Sequence, residues 1–293
     1  MLNLIMSVVT RFAPSPSGRL HLGHAYSAWQ AWQFACKHSG QFLLRIEDID
    51  FTRCKREFEA GIKEDLEWLG LQWQEPARRQ SDHFEDFYGI AERLKEMDVL
   101  YPCFCTRKEI LAEIERAGAA PHGSEGPVYP GICRQLSSDE AQRKIAVGED
   151  HAWRLNLPAA LQKGGQDVVW MDADNGEIKV SESQWQALGD VVLVRKDIGT
   201  SYHIAVVADD HLQEMTHIIR GKDLYESTHL HSLLQELLGF SKPIYQHHGL
   251  IADETGKRLA KRNEAESLQI LREQGLKPED VINRLTSSPI ARE

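Results

Sequence analysis

The stretch from Thr10 to His24, T-R-F-A-P-S-P-S-G-R-L-H-L-G-H, constrains this 293-residue chain more than any other. Val8 to Phe12 is β-branched and apolar enough for a short buried strand. Pro14, Pro16 and Gly18 break it, and an apolar-periodic run from Leu20 to Phe34 follows. Strand, loop and helix in that order leave unpaired N–H groups and the positive end of a helix dipole at the junction, where a phosphate can bind. His21 and His24 share one face of the helix start, and Gly23 between them lets a ligand approach the backbone.

The helix runs to Lys37 and stops at Ser39-Gly40. Gln41 to Ile46 then reads as a second strand running into Glu47-Asp48-Ile49-Asp50. A right-handed crossover places the first loop and the end of the second strand on one carboxyl edge, so Arg11 and Glu47 face one pocket. Arg53 to Leu69 reads as an amphipathic helix, and Ser81-Asp82 as the cap of another whose Phe84, Phe87, Tyr88, Ala91 and Leu94 are expected to pack in the core. Val191 to Arg195 and Tyr202 to Asp210 read as buried strands, Met215 to Ile219 as another, and Thr228 to Leu238 as a helix closed by Gly239. Tyr245 to Ile251 is expected to be a strand, and two helices, Glu264 to Glu273 and Pro278 to Leu285, end the chain.

With 34 basic against 44 acidic residues and a net charge of −10, the surface as a whole does not attract a polyanion, so any nucleic-acid contact must be local. No signal peptide and no apolar run near membrane-spanning length are visible, and the expected location is the cytoplasm. Five cysteines in such a chain argue against disulfides. Cys103, Cys105 and Cys133 could supply three thiolates to zinc; the fourth ligand stays open, with His122 the obvious candidate on chemistry alone.

The opening stretch resembles the first signature of class I aminoacyl-tRNA synthetases, and its R-F-A-P-S-P-S-G lead-in resembles the glutamyl branch. R-I-E-D-x-D-x-x-R at Arg45, Y-x-x-A-x-V-x-D-D at Tyr202 and I-x-R-G-x-D-L near Arg220 resemble further segments of that branch. The resemblance implies an α/β fold: a Rossmann-like doubly wound parallel sheet built from residues 1–100 and 191–293, with a zinc-bearing α+β insertion at 101–190. It implies a glutamate pocket of Arg11, Ala13, Ser15, Glu47, Tyr202 and Arg220, with Glu47 meeting the ammonium and the arginines the carboxylates. It also implies an ATP site of His21, Gly23, His24 and Lys261, of which His21, His24 and Lys261 act in catalysis with Mg²⁺. Lys257 to Arg262 resembles a degenerate second class I signature, with Arg258 at the usual first lysine and Ala260 at the usual serine. Tyr-x-x-x-Cys after C-x-C resembles that branch's zinc site, making Tyr129 the implied fourth ligand.

The resemblance ends near Leu285, and the helical anticodon-binding domain that glutamyl synthetases carry is expected to be absent. The whole therefore resembles the truncated branch that places glutamate on queuosine in tRNA(Asp). The implied partners are glutamate, ATP and queuosine-bearing tRNA(Asp), the implied state a monomer, and Arg134, Lys257, Arg258 and Arg262 the cations available to loop phosphates. The competing readings are a truncated glutamyl-tRNA synthetase charging the 3′ end and a non-catalytic glutamate- or RNA-binding relative.

Overall fold

The computed structural model describes residues 7–116, 122–123, 126–165, 167–251, 267–288 and 290, with the side chains of 113–116, 122–123 and 126 left out. The chain begins with β1 (Val9–Phe12), α1 (Leu22–Lys37), β2 (Gln41–Ile46), α2 (Arg56–Trp68) and β3 (Gln74–Arg79), giving a parallel sheet ordered β1-β2-β3. Ala25, Ala28, Ala31 and Ala35 form the buried stripe of α1, small enough for the helix to lie close on that sheet. Gly40 lets the chain turn tightly beside β1, since a Cβ there would sit 2.4 Å from the Val8 carbonyl oxygen.

Next come α3 (Phe84–Glu96), β4 (Leu100–Cys103), α4 (Arg107–Arg116), the two-residue strands β5 (His122–Gly123) and β6 (Gly126–Pro127), α5 (Ser138–Ala146) and β7 (Ala152–Leu155). The middle continues with α6 (Leu157–Gly164), β8 (Val169–Asp172), β9 (Gly176–Lys179), α7 (Glu182–Leu188) and β10 (Val192–Val194). The last part holds α8 (Tyr202–Leu212), β11 (His217–Gly221), α9 (Tyr225–Leu238), β12 (Ile244–His248), α10 (Leu268–Glu273) and α11 (Pro278–Ser287).

A second sheet is ordered β11-β12-β8-β9, parallel except for β9, and a small antiparallel sheet is ordered β10-β7-β4. The two larger sheets meet where the Thr216 N–H donates to the Val9 carbonyl at 3.0 Å and the Val9 N–H to Thr216 Oγ1 at 2.8 Å. The carboxyl ends of β1, β2 and β11 therefore open on one side of the molecule.

Three expectations change. Tyr202 to Asp210 is the helix α8, not a strand: Ser201 caps it, and Ile204 to Asp210 are buried throughout. A continuous apolar run cannot separate buried strand from buried helix, and here the cap decides. The expected insertion at 101–190 contributes β8 and β9 to the sheet of the second half, whereas β10, expected to resume that half, pairs with β7 of the small sheet. Ser81 does not cap α3; its N–H and hydroxyl both donate to Asp48, at 2.8 and 2.7 Å. Among the described residues no helix is long and apolar enough to cross a membrane.

Candidate active site

A cavity of ≈ 600 Å³ opens at that shared carboxyl edge. Arg11, Ala13, Ser15, His21, Gly23, His24, Glu47, Tyr202 and Arg220, widely separated in sequence, all line it. Lys257, Arg258, Ala260, Lys261 and Arg262 lie outside the described residues. The residues flanking that segment both reach the site: Ile251 lines the cavity, and Ser267 pairs with His21 in an antiparallel bridge.

Beneath the cavity is a buried ionic cluster centred on Arg45, which is completely enclosed. Arg45 and Glu47 stand two apart on and just past β2 and so face the same way. Arg45 donates to Glu47 Oε1 through Nη2 at 3.0 Å and Nε at 3.3 Å, and to Asp210 Oδ1 through Nη1 at 2.7 Å. Arg11 holds Asp210 in a two-pronged pair at 3.1 and 3.3 Å, while Asp209 takes Arg78 at 2.7 Å and Gln80 at 2.9 Å. Burial works against the Arg45 charge, yet Asp210, Glu47 and Asp209 together hold its pKa above the usual value. Burial raises the Glu47 pKa despite Arg45 and Arg11, whereas the same two arginines overcome burial at Asp210 and lower its pKa.

Arg220 differs from Arg11. It is buried, and among the described residues it has no ion pair with a carboxylate. Its partners are neutral: Thr228 Oγ1 at 2.6 Å, the Leu224 carbonyl at 3.1 Å, His231 Nδ1 at 3.3 Å and His247 Nε2 at 3.4 Å. A guanidinium only donates, so both ring nitrogens accept. The His231 proton then sits on Nε2, 3.2 Å from His203 Nδ1. Burial depresses His231 well below the ordinary histidine range and His247 to about 3, so neither ring competes for the anion that Arg220 lacks.

At the start of α1, His21 is the N-cap and accepts from the Gly23 N–H at 3.0 Å, while His24 Nδ1 accepts from the His21 N–H at 3.4 Å. Each Nδ1 is thus an acceptor, and in the neutral ring each Nε2 carries the proton. The rings stack with centroids 3.8 Å apart. Gly23 makes this possible, because a Cβ there would lie 3.0 Å from the His21 ring. No acidic residue occupies the first turn, so its N–H groups and dipole keep their attraction for an anion.

Apart from the cavity, the thiols of Cys103, Cys105 and Cys133 lie within 4.8 Å of one another. Tyr129 Oη is 3.4 Å from both Cys103 Sγ and Cys105 Sγ, and Cys105 Sγ is 3.4 Å from Cys133 Sγ. Zinc–sulfur and zinc–oxygen bonds of about 2.3 and 2.0 Å in a tetrahedron give sulfur–oxygen edges of roughly 3.5 Å, so this donor set fits zinc. Burial and the neighbouring thiols push Cys105 up to about 12, a cluster that a cation would relieve. The His122 side chain lies outside the described residues.

Sequence reading quoted Arg45 and Asp223 as motif positions but gave them no role, and did not single out His231 or His247, nor Tyr26 and His248 on the cavity wall. A guanidinium inside the apolar strand F-L-L-R-I and two adjacent acids closing the apolar run before His211 were the available signals.

Residues 7–290 match the family described as tRNA synthetases class I (E and Q), catalytic domain. A glutamyl-Q tRNA(Asp) synthetase of Rhodobacter capsulatus is 44% identical over 280 residues, covering 94% of this chain and 98% of that protein. A glutamate–tRNA ligase of Aquifex aeolicus is 40% identical over 278 residues, 95% of this chain but 56% of the ligase. The crystal structure of a glutamate tRNA ligase from Elizabethkingia meningosepticum in complex with its amino acid aligns with a TM-score of 0.78 at 29% identity, covering 96% of this chain and 60% of that one. The chain thus spans little more than half the length of these ligases.

Proposed function

Because the chain belongs to the family of class I tRNA synthetases (E and Q), catalytic domain, we propose that it activates glutamate with ATP and passes the glutamyl group to queuosine in the anticodon loop of tRNA(Asp). The observation that carries the glutamate part is Arg220, a buried cation facing the cavity with neutral partners only among the described residues. A substrate carboxylate completes it, while Glu47 also lines the cavity, and an ammonium there would offset the burial that raises its pKa. The queuosine part is supported by 44% identity along nearly the whole glutamyl-Q relative.

A glutamate carboxylate oxygen attacks the α-phosphorus of ATP; the new O–P bond forms as the bond to the leaving pyrophosphate breaks. His21 and His24 donate from Nε2 toward the phosphates, and the start of α1 adds backbone N–H groups. Lys261 joins them from a segment whose two flanks meet the site. Mg²⁺ carried with ATP shares the phosphate charge. A hydroxyl of the RNA then attacks the glutamyl carbonyl and AMP leaves. Positioning and charge carry both steps, so no protein nucleophile is required.

Glutamate-dependent exchange of pyrophosphate into ATP tests the first step. The reading expects exchange with glutamate and background levels with glutamine and aspartate. Exchange with glutamine equal to that with glutamate would remove Arg220 from the selective role, and none with any amino acid would favour a non-catalytic binder.

We also propose one structural zinc on Cys103, Cys105, Cys133 and Tyr129, in a cytoplasm that keeps the thiols reduced. Metal analysis of reduced protein should find about one zinc per chain, and Tyr129→Phe should lower occupancy and melting temperature together. Full occupancy in Tyr129→Phe would shift the fourth ligand to His122 or water.

A further inference from the structure

Two loops leave the catalytic cavity and meet again at the surface. One runs from cavity-lining Glu47 through Asp48, Ile49 and Asp50 to Phe51; the other, 195–201, leads into cavity-lining Tyr202. Arg195 Nη1 lies 3.6 Å from Asp50 Oδ2 and ties the loops together. The first loop is firmly held. The Glu47 N–H donates to the Pro14 carbonyl at 3.0 Å, Asp48 takes both donors of Ser81, and Ile49 is buried in the core. Thr52 Oγ1 donates to Asp50 at 2.6 Å, closing the turn.

At the tip of that fixed loop Phe51 is 63% exposed. A single exposed apolar side chain is ordinary, but Phe51 is one of a contiguous group. Its ring lies 5.4 Å from that of Phe84, which lies 5.8 Å from that of Tyr88, itself 38% exposed. Phe84 also meets the fully buried Phe87, so the cluster is rooted in the core and its outer rings are preorganised. Tyr88 packs against the second loop, where a Cβ on Gly199 would come within 2.9 Å of its ring. Arg53 follows Phe51 by two residues and Arg195 and Lys196 lie on the second loop, with Arg53 71% and Arg195 40% exposed, although Asp50 and Asp197 offset part of their charge.

We propose that Phe51, backed by Phe84 and Tyr88, is a stacking platform for an unpaired RNA base next to the nucleotide that receives the glutamyl group, with Arg53, Arg195 and Lys196 facing its phosphates. Aromatic faces beside cations are how proteins hold single-stranded nucleic acid, and loop bases can be splayed out to meet them. Phe51 is four residues from Glu47, at most about 14 Å along an extended chain, so a base on it is a close neighbour of one held in the cavity. The platform rests on the reading that the acceptor is RNA, but not on which RNA hydroxyl reacts.

The test compares Phe51→Ala, Phe51→Leu and Phe51→Trp, all at an exposed position where folding is not at stake. Alanine and leucine should raise the KM for tRNA in glutamyl transfer about tenfold, the range of one lost base stack, and tryptophan should restore it. Glutamate-dependent pyrophosphate exchange should stay at the wild-type level in all three. Unchanged tRNA KM in Phe51→Ala overturns the platform, as does an equal loss of exchange and transfer. Binding of fluorescent full-length tRNA(Asp) to wild type and Phe51→Ala gives a second readout that needs no catalysis and holds whichever hydroxyl reacts. Weaker binding by the variant supports the platform even if wild type fails to exchange with glutamate, a result that would sink the functional reading alone; equal binding overturns the platform.

Discussion

Arg45→Met should destabilise the folded chain by about 3 kcal/mol or more near neutral pH, because removing one member of a buried ionic cluster strands the others. Asp210 would keep Arg11, and Asp209 would keep Arg78 and Gln80. Glu47 would lose both hydrogen bonds that Arg45 gives it. The pH dependence follows from Glu47. Burial already raises its folded pKa above 4.5, and losing Arg45 raises it further. Between the unfolded and folded pKa values the folded state binds the extra proton, so stability falls as pH rises through that window and the full cost is present above it. Urea unfolding should therefore show a larger loss at pH 8 than at pH 5, and Glu47→Gln in the Arg45→Met background should recover part of it. Equal losses at both pH values would mean that Glu47 is not the stranded group.

Arg220→Ala should cut kcat/KM for glutamate in pyrophosphate exchange at least about a hundredfold, the scale of a truncated partner in a buried charged pair. The KM for ATP should change little. Lysine should not rescue, because Arg220 holds His231, His247 and Thr228 with three separate nitrogens and a single ammonium cannot reproduce that fork. His231→Asp, which sets a carboxylate against Arg220, should mimic the loss, whereas His231→Asn, a neutral acceptor, should be much milder. Arg11→Ala should also impair activation, partly by leaving Asp210 with Arg45 as its one arginine partner in the cluster. Glutamate kinetics in Arg220→Ala within a few-fold of wild type would remove Arg220 from the pocket.

Arg11, His21 and Glu47 were readable as cavity residues because strand, breaker and helix signals fix their positions. Arg11 sits on a four-residue strand, His21 caps the helix after the Pro/Gly loop, and Glu47 follows the next strand, so topology alone sends them to one sheet edge. What holds them was not readable. Arg45 meets Asp210 across 165 residues, and the partners of Arg220 come from α9 and β12, pairings that no local pattern encodes. The strand assigned to Tyr202–Asp210 failed because a helix buried on nearly every side loses the polar stripe that gives helices their period. The exchange of β8 and β10 between sheets has the same origin, since short apolar strands carry no signal for which sheet they join.

The central claim, that glutamate goes to queuosine and not to the tRNA terminus, is tested most directly by following labelled glutamate onto tRNA(Asp) with and without queuosine, each with and without its 3′-terminal adenosine. The account predicts incorporation wherever queuosine is present, whether or not the terminal adenosine remains, and none on tRNA lacking queuosine. Incorporation that requires the terminal adenosine and ignores queuosine would contradict it, and would identify the chain's activity as ordinary charging of the 3′ end.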